Sequence, residues 1–107
     1  MPHRATIEWC CEHCGVLRIG AEDFDHTRHM PYVRSCTVVR QPDGTVLVLG
    51  LCVCPGQQAA FSRSELRALG ECIVREGIPS ATFERRRPNG TTRLVRMRAE
   101  QFPGAFL

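Results

Sequence analysis

One segment in the second half of the chain has the start and stop signals of an α-helix, and it limits the fold more than any other feature. The run FSRSEL places Ser62 and Glu65 at the spacing of a capping box. Leucine, alanine and isoleucine then recur on one helical face, with Leu69 at its centre. Gly77 follows the last apolar position, and a proline comes two residues later. We therefore predict a helix over residues 63–76 that must bury one face against another element.

A candidate β-hairpin lies on each side of this helix. The runs are SCTVVRQPDGTVLVLGLCVC before it and SATFERRRPNGTTRLVRMR after it, each with a Pro-x-Gly turn at its tip. A three-residue loop with glycine in the left-handed position pairs Phe83 with Val95. Ala81 then pairs with Met97, which gives the second hairpin one apolar face. The same loop in the first hairpin places these residues on one face: Cys36, Val38, Val46, Val48, Cys52 and Cys54.

These elements predict a domain of the α+β class. We expect residues 33–107 to have the order β-β-α-β-β, with one helix packed on an antiparallel sheet. We expect residues 1–32 to form a zinc-knuckle cap around a cysteine and histidine cluster, with short strands at 5–9 and 16–19. At 107 residues the whole chain, 1–107, has the length of a single domain with a modest core.

Seven cysteines are a high and odd number for a chain of this length. The N-terminal run MPHRATIEW contains no secretory signal, and no apolar run reaches the length of a membrane span. We therefore expect a cytoplasmic protein without a membrane partner. In that compartment cysteines bind metal or are buried as free thiols more often than they pair in disulfides.

Two of the cysteines have the spacing of a zinc knuckle. Cys11 and Cys14 form a C-x2-C pair, and Gly15 follows, where a positive φ would let the backbone fold around the sulfur atoms. A closed zinc site takes four ligands, and the histidine pair His26 and His29 is our first choice for the other two. The remaining candidates for that second pair are His29, Cys36, Cys52 and Cys54. A redox pair is the alternative interpretation of the two knuckle cysteines, but such motifs begin a helix and no helical pattern follows here.

The run CEHCGVLRIGAEDFDH, residues 11–26, resembles the first half of the Com-like phage zinc-ribbon translational activators. The shared pattern is C-x2-C, a leucine, and then Ala-acid-x-Phe-Asp-His. The resemblance implies a bound zinc ion, contact with RNA, and an origin in a phage or mobile element. The second C-x2-C of that family completes its metal site, and PYVR stands in its place here. The histidine that aligns with His26 is not a ligand in that family.

The basic side chains are all arginine, and they are concentrated in the second hairpin. Residues 81–98 carry six arginines against one acid, a local balance of +5, whereas the whole chain has a net charge of +3. The predicted register places Arg86, Arg96 and Arg98 on the face away from the core and Arg85, Arg87 and Arg93 at the tip. Guanidinium groups bind phosphates and carboxylates bidentately, so we expect contact with nucleic acid or with an acidic protein surface. The alternative is a solvated edge that blocks association with other sheets.

The sequence contains no P-loop, dinucleotide-binding fingerprint, G-x-S-x-G or H-E-x-x-H motif. We therefore expect a small, non-enzymatic, zinc-stabilised regulatory protein that contacts nucleic acid through the arginine-rich hairpin. A second hypothesis is a protein-binding inhibitor or adaptor, such as an anti-CRISPR factor, that docks on a nucleic-acid-processing complex. A third is a metal- or thiol-dependent enzyme, with Glu22, Asp23 and Asp25 close in sequence to His26 and His29.

Overall fold

A computed structural model describes residues 2–53, 61–86 and 91–101. This part of the chain forms one α-helix and a six-stranded sheet, which confirms the predicted α+β class. The strands are β1 (His3–Trp9), β2 (Cys14–Ala21), β3 (Tyr32–Arg40), β4 (Val46–Val53), β5 (Ser80–Arg86) and β6 (Thr92–Arg98), and the helix is α1 (Arg63–Arg75). Single turns of 3-10 helix lie at His26–Arg28 and Ala99–Gln101. The strands have the same order in the sheet as in the chain, from β1 to β6.

The sheet is mixed rather than wholly antiparallel. β4 and β5 run parallel, with Val46 opposite Ala81, and the other neighbouring strands are antiparallel. Parallel neighbours need a crossover connection, and α1 provides it between β4 and β5. The predicted order β-β-α-β-β is confirmed. The predicted antiparallel sheet is wrong at this one pair, because two hairpins joined by a crossover helix meet with their inner strands parallel.

The first 32 residues supply two strands of the same sheet, so residues 2–32 do not form a separate cap. The predicted strands at 5–9 and 16–19 lie within β1 and β2, and β2 pairs with β3. The inward side chains of β1 and β2 are buried in the one core that α1 covers. A two-stranded hairpin is at best marginally stable alone, and packing on the helix gives it an apolar surface to bury against.

The helix α1 begins and ends close to where its sequence signals predict. The Ser62 side chain accepts a hydrogen bond from the Glu65 backbone N–H at 3.2 Å, and the Glu65 carboxylate accepts one from the Ser62 N–H at 3.0 Å. The capping box is therefore confirmed. The helix stops at Arg75, one residue before the predicted end, and Gly77 has a φ of 70°, in the left-handed region that favours glycine. Leu69 is 1% exposed, within the core.

The predicted register of the second hairpin is confirmed. Phe83 lies opposite Val95, and Ala81 lies opposite Met97. Three of these four side chains are buried, and Val95 is partly buried against the same core. The turn itself, residues 87–90, is outside the described residues.

The first hairpin departs from its predicted register at one point. A bulge between Ser35 and Thr37 shifts the pairing, so that Cys52 lies opposite Ser35. Four of the six residues predicted to share a face are buried in the core: Cys36, Val38, Val46 and Val48. The Cys52 side chain and the whole of Cys54 lie outside the described residues.

The face of the sheet that points away from α1 is exposed over its later strands. Leu49 on β4 is exposed, and Leu94 on β6 is 69% exposed. Polar and charged neighbours on these strands, such as Thr37 and Glu84, are exposed as well. No helix in the described part of the chain has the length and apolar character that crossing a membrane requires.

A buried ion pair joins β3 to the start of α1. Arg34 is 2% exposed and Glu65 is 5% exposed. The Arg34 Nε donates to the Glu65 Oε2, and its Nη2 donates to the Oε1 at 3.2 Å. Burial raises the pKa of the Glu65 carboxyl, but the hydrogen bonds from Arg34 and Ser62 and the Arg34 charge outweigh burial and hold that pKa below its ordinary value. The guanidinium also lies 5.2 Å from the Phe61 ring centroid. The sequence identifies Glu65 only as a cap, so this second role was missed.

Candidate functional site

The C-x2-C pair lies at the tip of the hairpin formed by β1 and β2. Cys11 and Cys14 are both exposed there. The backbone N–H groups of Cys10 and Cys11 donate to the Cys14 carbonyl at 2.9 and 3.2 Å, which closes a tight turn. Gly15 follows, and a Cβ at that position would lie 2.9 Å from the Glu8 carbonyl oxygen. The glycine is therefore needed for close approach of the strands and not, as predicted, for a positive φ.

The two thiols of this turn are unequal. Hydrogen bonds from the backbone N–H groups of His13 and Cys14 lower the pKa of Cys11. Desolvation by the surrounding protein, the charge of Cys11 and a hydrogen bond with Cys11 raise the pKa of Cys14. Backbone donors aimed at one sulfur, with the second sulfur beside it, give a turn that stabilises a thiolate. Thiolates are the ligands that zinc takes from cysteine. The turn therefore has the chemistry of half of a zinc site.

The base of the turn is held by the neighbouring strand and by the end of the helix. The Arg40 backbone N–H on β3 donates to the His13 carbonyl at 2.7 Å. The Arg40 guanidinium lies 4.3 Å from the centroid of the Trp9 ring, and the Trp9 indole N–H donates to Glu76 at 3.1 Å. These contacts fix the orientation of the turn before any ligand binds. No spacing rule in the sequence links Trp9, Arg40 and Glu76, so sequence analysis missed them.

The predicted histidine pair lies elsewhere. His26 begins the 3-10 turn, and its Nδ1 shares a hydrogen bond of 2.8 Å with the Thr6 hydroxyl in the middle of β1. Thr6 is opposite Arg18, which is four residues along β2 from Cys14, or about 13 Å at about 3.3 Å per residue. His29 ends the same turn with a left-handed φ of 55°. The structure therefore does not bring the histidine pair to the cysteine pair.

Cys36, another candidate ligand, is also distant from the knuckle along the sheet, and Cys54 is outside the described residues. Cys36 is buried and lies opposite Leu17, three residues along β2 from Cys14. Across residues 2–53, 61–86 and 91–101, no group of three or more histidine, cysteine, aspartate or glutamate side chains is arranged to hold a metal ion. A four-ligand site within one chain is thus not assembled among these residues, and zinc at Cys11 and Cys14 stays a prediction.

The acidic residues next to His26 line an open cavity of about 450 Å³. Glu22, Asp23 and Asp25 all contribute to its wall. The Asp25 carboxylate already accepts hydrogen bonds from the Thr27 backbone N–H at 2.9 Å and hydroxyl at 2.7 Å, and these bonds lower its pKa. Asp25 therefore has a structural role as the N-cap of the 3-10 turn.

The arginine-rich hairpin formed by β5 and β6 lies at the opposite lateral edge of the sheet from β1. Arg93, Arg96 and Arg98 on β6 are exposed. The Arg98 Nη1 lies 3.6 Å from the Glu100 Oε1. Arg85 is directly opposite Arg93 in the register, and Arg86 is opposite Thr92. The side chains of Arg85 and Arg86, and the whole of Arg87, are outside the described residues.

The charge on this edge is poorly neutralised. Within the described ranges, no carboxylate forms an ion pair with Arg93 or Arg96. Hydrogen bonds from Thr45 lower the pKa of Asp43 most, and the Arg96 charge also lowers it.

We expect iodoacetamide, added in limiting amount to reduced, metal-free protein at neutral pH, to modify Cys11 before Cys14. The thiolate is the nucleophile, and the lowered pKa of Cys11 and the raised pKa of Cys14 favour that order. Peptide mapping by mass spectrometry measures it. Cys72 is the internal control: burial raises its pKa to about 11, so it should react only on unfolding. Equal labelling of Cys11 and Cys14 would contradict the asymmetry of the turn.

Comparisons with protein-family models, with curated proteins and with solved structures find no match to this chain. The resemblance of residues 11–26 to the Com-like activators therefore stays a prediction. Function has to be inferred from the two sites themselves, the knuckle at the β1–β2 tip and the arginine-rich hairpin at the far edge of the sheet.

Proposed function

We propose that the protein is a small, non-enzymatic regulatory protein that contacts nucleic acid phosphates through the arginine-rich β5–β6 hairpin. The observation that carries the proposal is the exposed arginines of β6, of which Arg93 and Arg96 have no acidic partner among the described residues. Arg96 and Arg98 are two residues apart on β6 and flank the buried Met97, so they share the sheet face away from α1, where neighbouring guanidinium groups suit neighbouring phosphates.

Phosphate contact is favoured over recognition of bases. The exposed sheet face next to the hairpin presents Leu94 and Glu84, which are not stacking groups. Tyr32 is exposed, but it lies on β3, away from the arginine strand, and its ring is already approached by Arg18. Proteins that bind single strands through their bases use aromatic platforms. Contacts to the backbone position a protein on nucleic acid without reading its sequence, so we expect weak dependence on sequence.

We also propose that zinc binds at Cys11 and Cys14 and stabilises the β1–β2 tip. Support comes from the hydrogen bonds of the turn, which favour a thiolate at Cys11, and from the fixed base of the turn. Bound zinc would supply a structural cross-link there. The binding free energy of a closed zinc site is a contribution to the free energy of folding.

Replacing Arg93, Arg96 and Arg98 together with glutamine should weaken the salt dependence of nucleic acid binding. Each lost phosphate contact flattens the slope of log affinity against log salt by about 0.9 on duplex DNA and by about 0.7 on single strands. We therefore expect the slope to flatten by up to about 2.7 on duplex, with little change in folding because these side chains are exposed. Fluorescence anisotropy at several salt concentrations measures it.

The matched control is a variant in which Arg28, Arg63 and Arg67 are replaced with glutamine. These three are also exposed, so the net charge changes equally while the hairpin is intact. We expect this variant to keep most of the wild-type slope. An equal loss in both variants would show that only net charge matters. Absence of wild-type binding to duplex DNA, single-stranded DNA and RNA at low salt would overturn the proposal and favour the alternative, an inhibitor or adaptor that binds an acidic protein surface.

A further inference from the structure

The knuckle offers a zinc ion two ligands, and a closed structural site takes four. Cys11 and Cys14 are exposed at the end of a hairpin, so their outer side is open to another molecule. The neighbouring residues of the tip, Cys10, Glu12 and His13, are exposed too. The site is therefore accessible and incomplete.

The described part of the same chain does not complete it. Zinc–sulfur and zinc–nitrogen bonds are about 2.0–2.3 Å long, so all four ligands must gather around one point. His26 is held beside Thr6, about 13 Å along the sheet from Cys14 at the rise of a strand. Cys52 on β4 is opposite Ser35 on β3, and Ser35 is opposite Arg18 on β2. The backbone of Cys52 is therefore two strands from β2 and as far from Cys14 along the strand direction as Arg18 is.

We infer that two copies of the chain share one zinc ion, each supplying Cys11 and Cys14. The four thiols lose four protons to give one zinc ion with four thiolates, and no oxidant or reductant is needed. A two-fold axis through the metal makes the two knuckles equivalent, which is the commonest symmetry of soluble assemblies. The inference rests on the proposed zinc role of the knuckle and is independent of nucleic acid binding.

Two features of the turn suit it to this role. Its base is fixed by the hydrogen bond from the Arg40 N–H to the His13 carbonyl and by the contact of Arg40 with Trp9, so little conformational freedom is lost when the metal binds. Its tip belongs to β1 and β2, whereas the arginine-rich hairpin is at the other lateral edge of the sheet. A dimer joined at the knuckles would therefore carry its two basic hairpins at its outer sides, free to bind one nucleic acid at two places.

The test is a zinc titration of the reduced, metal-free full chain, followed by native mass spectrometry and by size-exclusion chromatography with light scattering. We expect conversion from monomer to dimer, complete at one zinc per two chains and reversed by a chelator. Cobalt in place of zinc should give the absorption of a tetrahedral, all-thiolate centre. Cys11→Ser and Cys14→Ser should abolish both metal binding and the dimer, with far-UV circular dichroism as the check on folding. Cys10→Ser and His13→Ala are matched controls on the same tip and should keep both.

Each other outcome overturns the inference in a distinguishable way. One zinc per monomer, with no dimer, would mean that the chain supplies all four ligands and that only the shared site is wrong. A dimer that forms without zinc would place the interface elsewhere. Failure of the wild type to bind zinc, with ready oxidation of Cys11 and Cys14 to a disulfide, would replace both the shared site and the proposed zinc role with a redox pair. None of these results bears on the arginine-rich hairpin, which the salt-dependence experiment tests separately.

Discussion

Replacing Glu65 with glutamine is expected to lower the free energy of unfolding by about 3–5 kcal/mol. The substitution keeps the shape of the side chain and its capping-box acceptor, since glutamine serves in that motif as well. It removes the charge that Arg34 faces inside the protein, where both side chains are almost fully buried. An arginine cannot give up its proton to escape the penalty, so a buried charge is left without a counter-charge.

Urea denaturation at neutral pH measures this loss, and the same helix contains a matched control. Arg67 and Glu71 form an exposed pair at 3.1 Å, so Glu71→Gln should cost only about 0.3–0.5 kcal/mol. The double variant with Arg34→Met and Glu65→Gln should recover part of the loss, because it removes both buried charges. A cost for Glu65→Gln no larger than that for Glu71→Gln would contradict a buried pair.

The same carboxylate should make the stability of the wild type depend on pH. Its native pKa is lowered, whereas the unfolded value is about 4.3. The contribution of the Glu65 carboxylate to the free energy of unfolding is therefore complete at pH values above its unfolded pKa. This contribution is lost as the pH falls through the lower native pKa. Glu65→Gln should accordingly lose less stability than the wild type between neutral pH and acid.

The second large effect is expected at Leu69. Leu69→Ala should lower the free energy of unfolding by about 2–5 kcal/mol, because Leu69 is 1% exposed and its truncation leaves a cavity between α1 and the sheet. Leu66 is on the same helix but only partly buried, so Leu66→Ala should cost less. Thermal and urea unfolding of both variants provide the comparison. A near-neutral Leu69→Ala would mean that α1 does not pack on the sheet in solution.

Local signals predict the local structure well. The capping box at Ser62 and Glu65 places the start of α1 correctly, and Gly77 places its end to within one residue. The alternation of apolar side chains around the Pro-Asn-Gly turn predicts the pairing of Phe83 with Val95. In each case the residues that determine the structure are near neighbours in the sequence.

Features that depend on distant residues were not predictable in the same way. The parallel pairing of β4 with β5 follows from the crossover of α1, and no spacing within either hairpin encodes it. The inclusion of β1 and β2 in the sheet depends on the apolar surface of α1, more than forty residues later. Arg34 has the alternation of a buried position, but only its partner Glu65, 31 residues away, makes that burial tolerable.

In the candidate site, too, the local features were predictable from the sequence and the long-range ones were not. The knuckle spacing of Cys11 and Cys14 is local, and both lie in one tight turn. A second ligand pair is a question of long-range geometry, whereas the choice of His26 and His29 rested on their spacing in the sequence, which approximates a zinc site of two cysteines and two histidines. The contact of His26 with Thr6, which is opposite Arg18 on β2, holds that histidine about 13 Å along the sheet from Cys14.

Because the order of the strands in the sheet is their order in the chain, the protein can be assembled as it is synthesised. Except for β5, which pairs with β4 across the α1 crossover, each new strand finds its hydrogen-bonding neighbour in the strand synthesised just before it. The apolar face of β1 to β4 nevertheless has no cover until α1 emerges, and the bonds from Arg75 to Ala5 and from Trp9 to Glu76 join residues 70 and 67 positions apart. The nascent chain is therefore most open to aggregation, and most in need of a chaperone, between completion of β4 and completion of the helix.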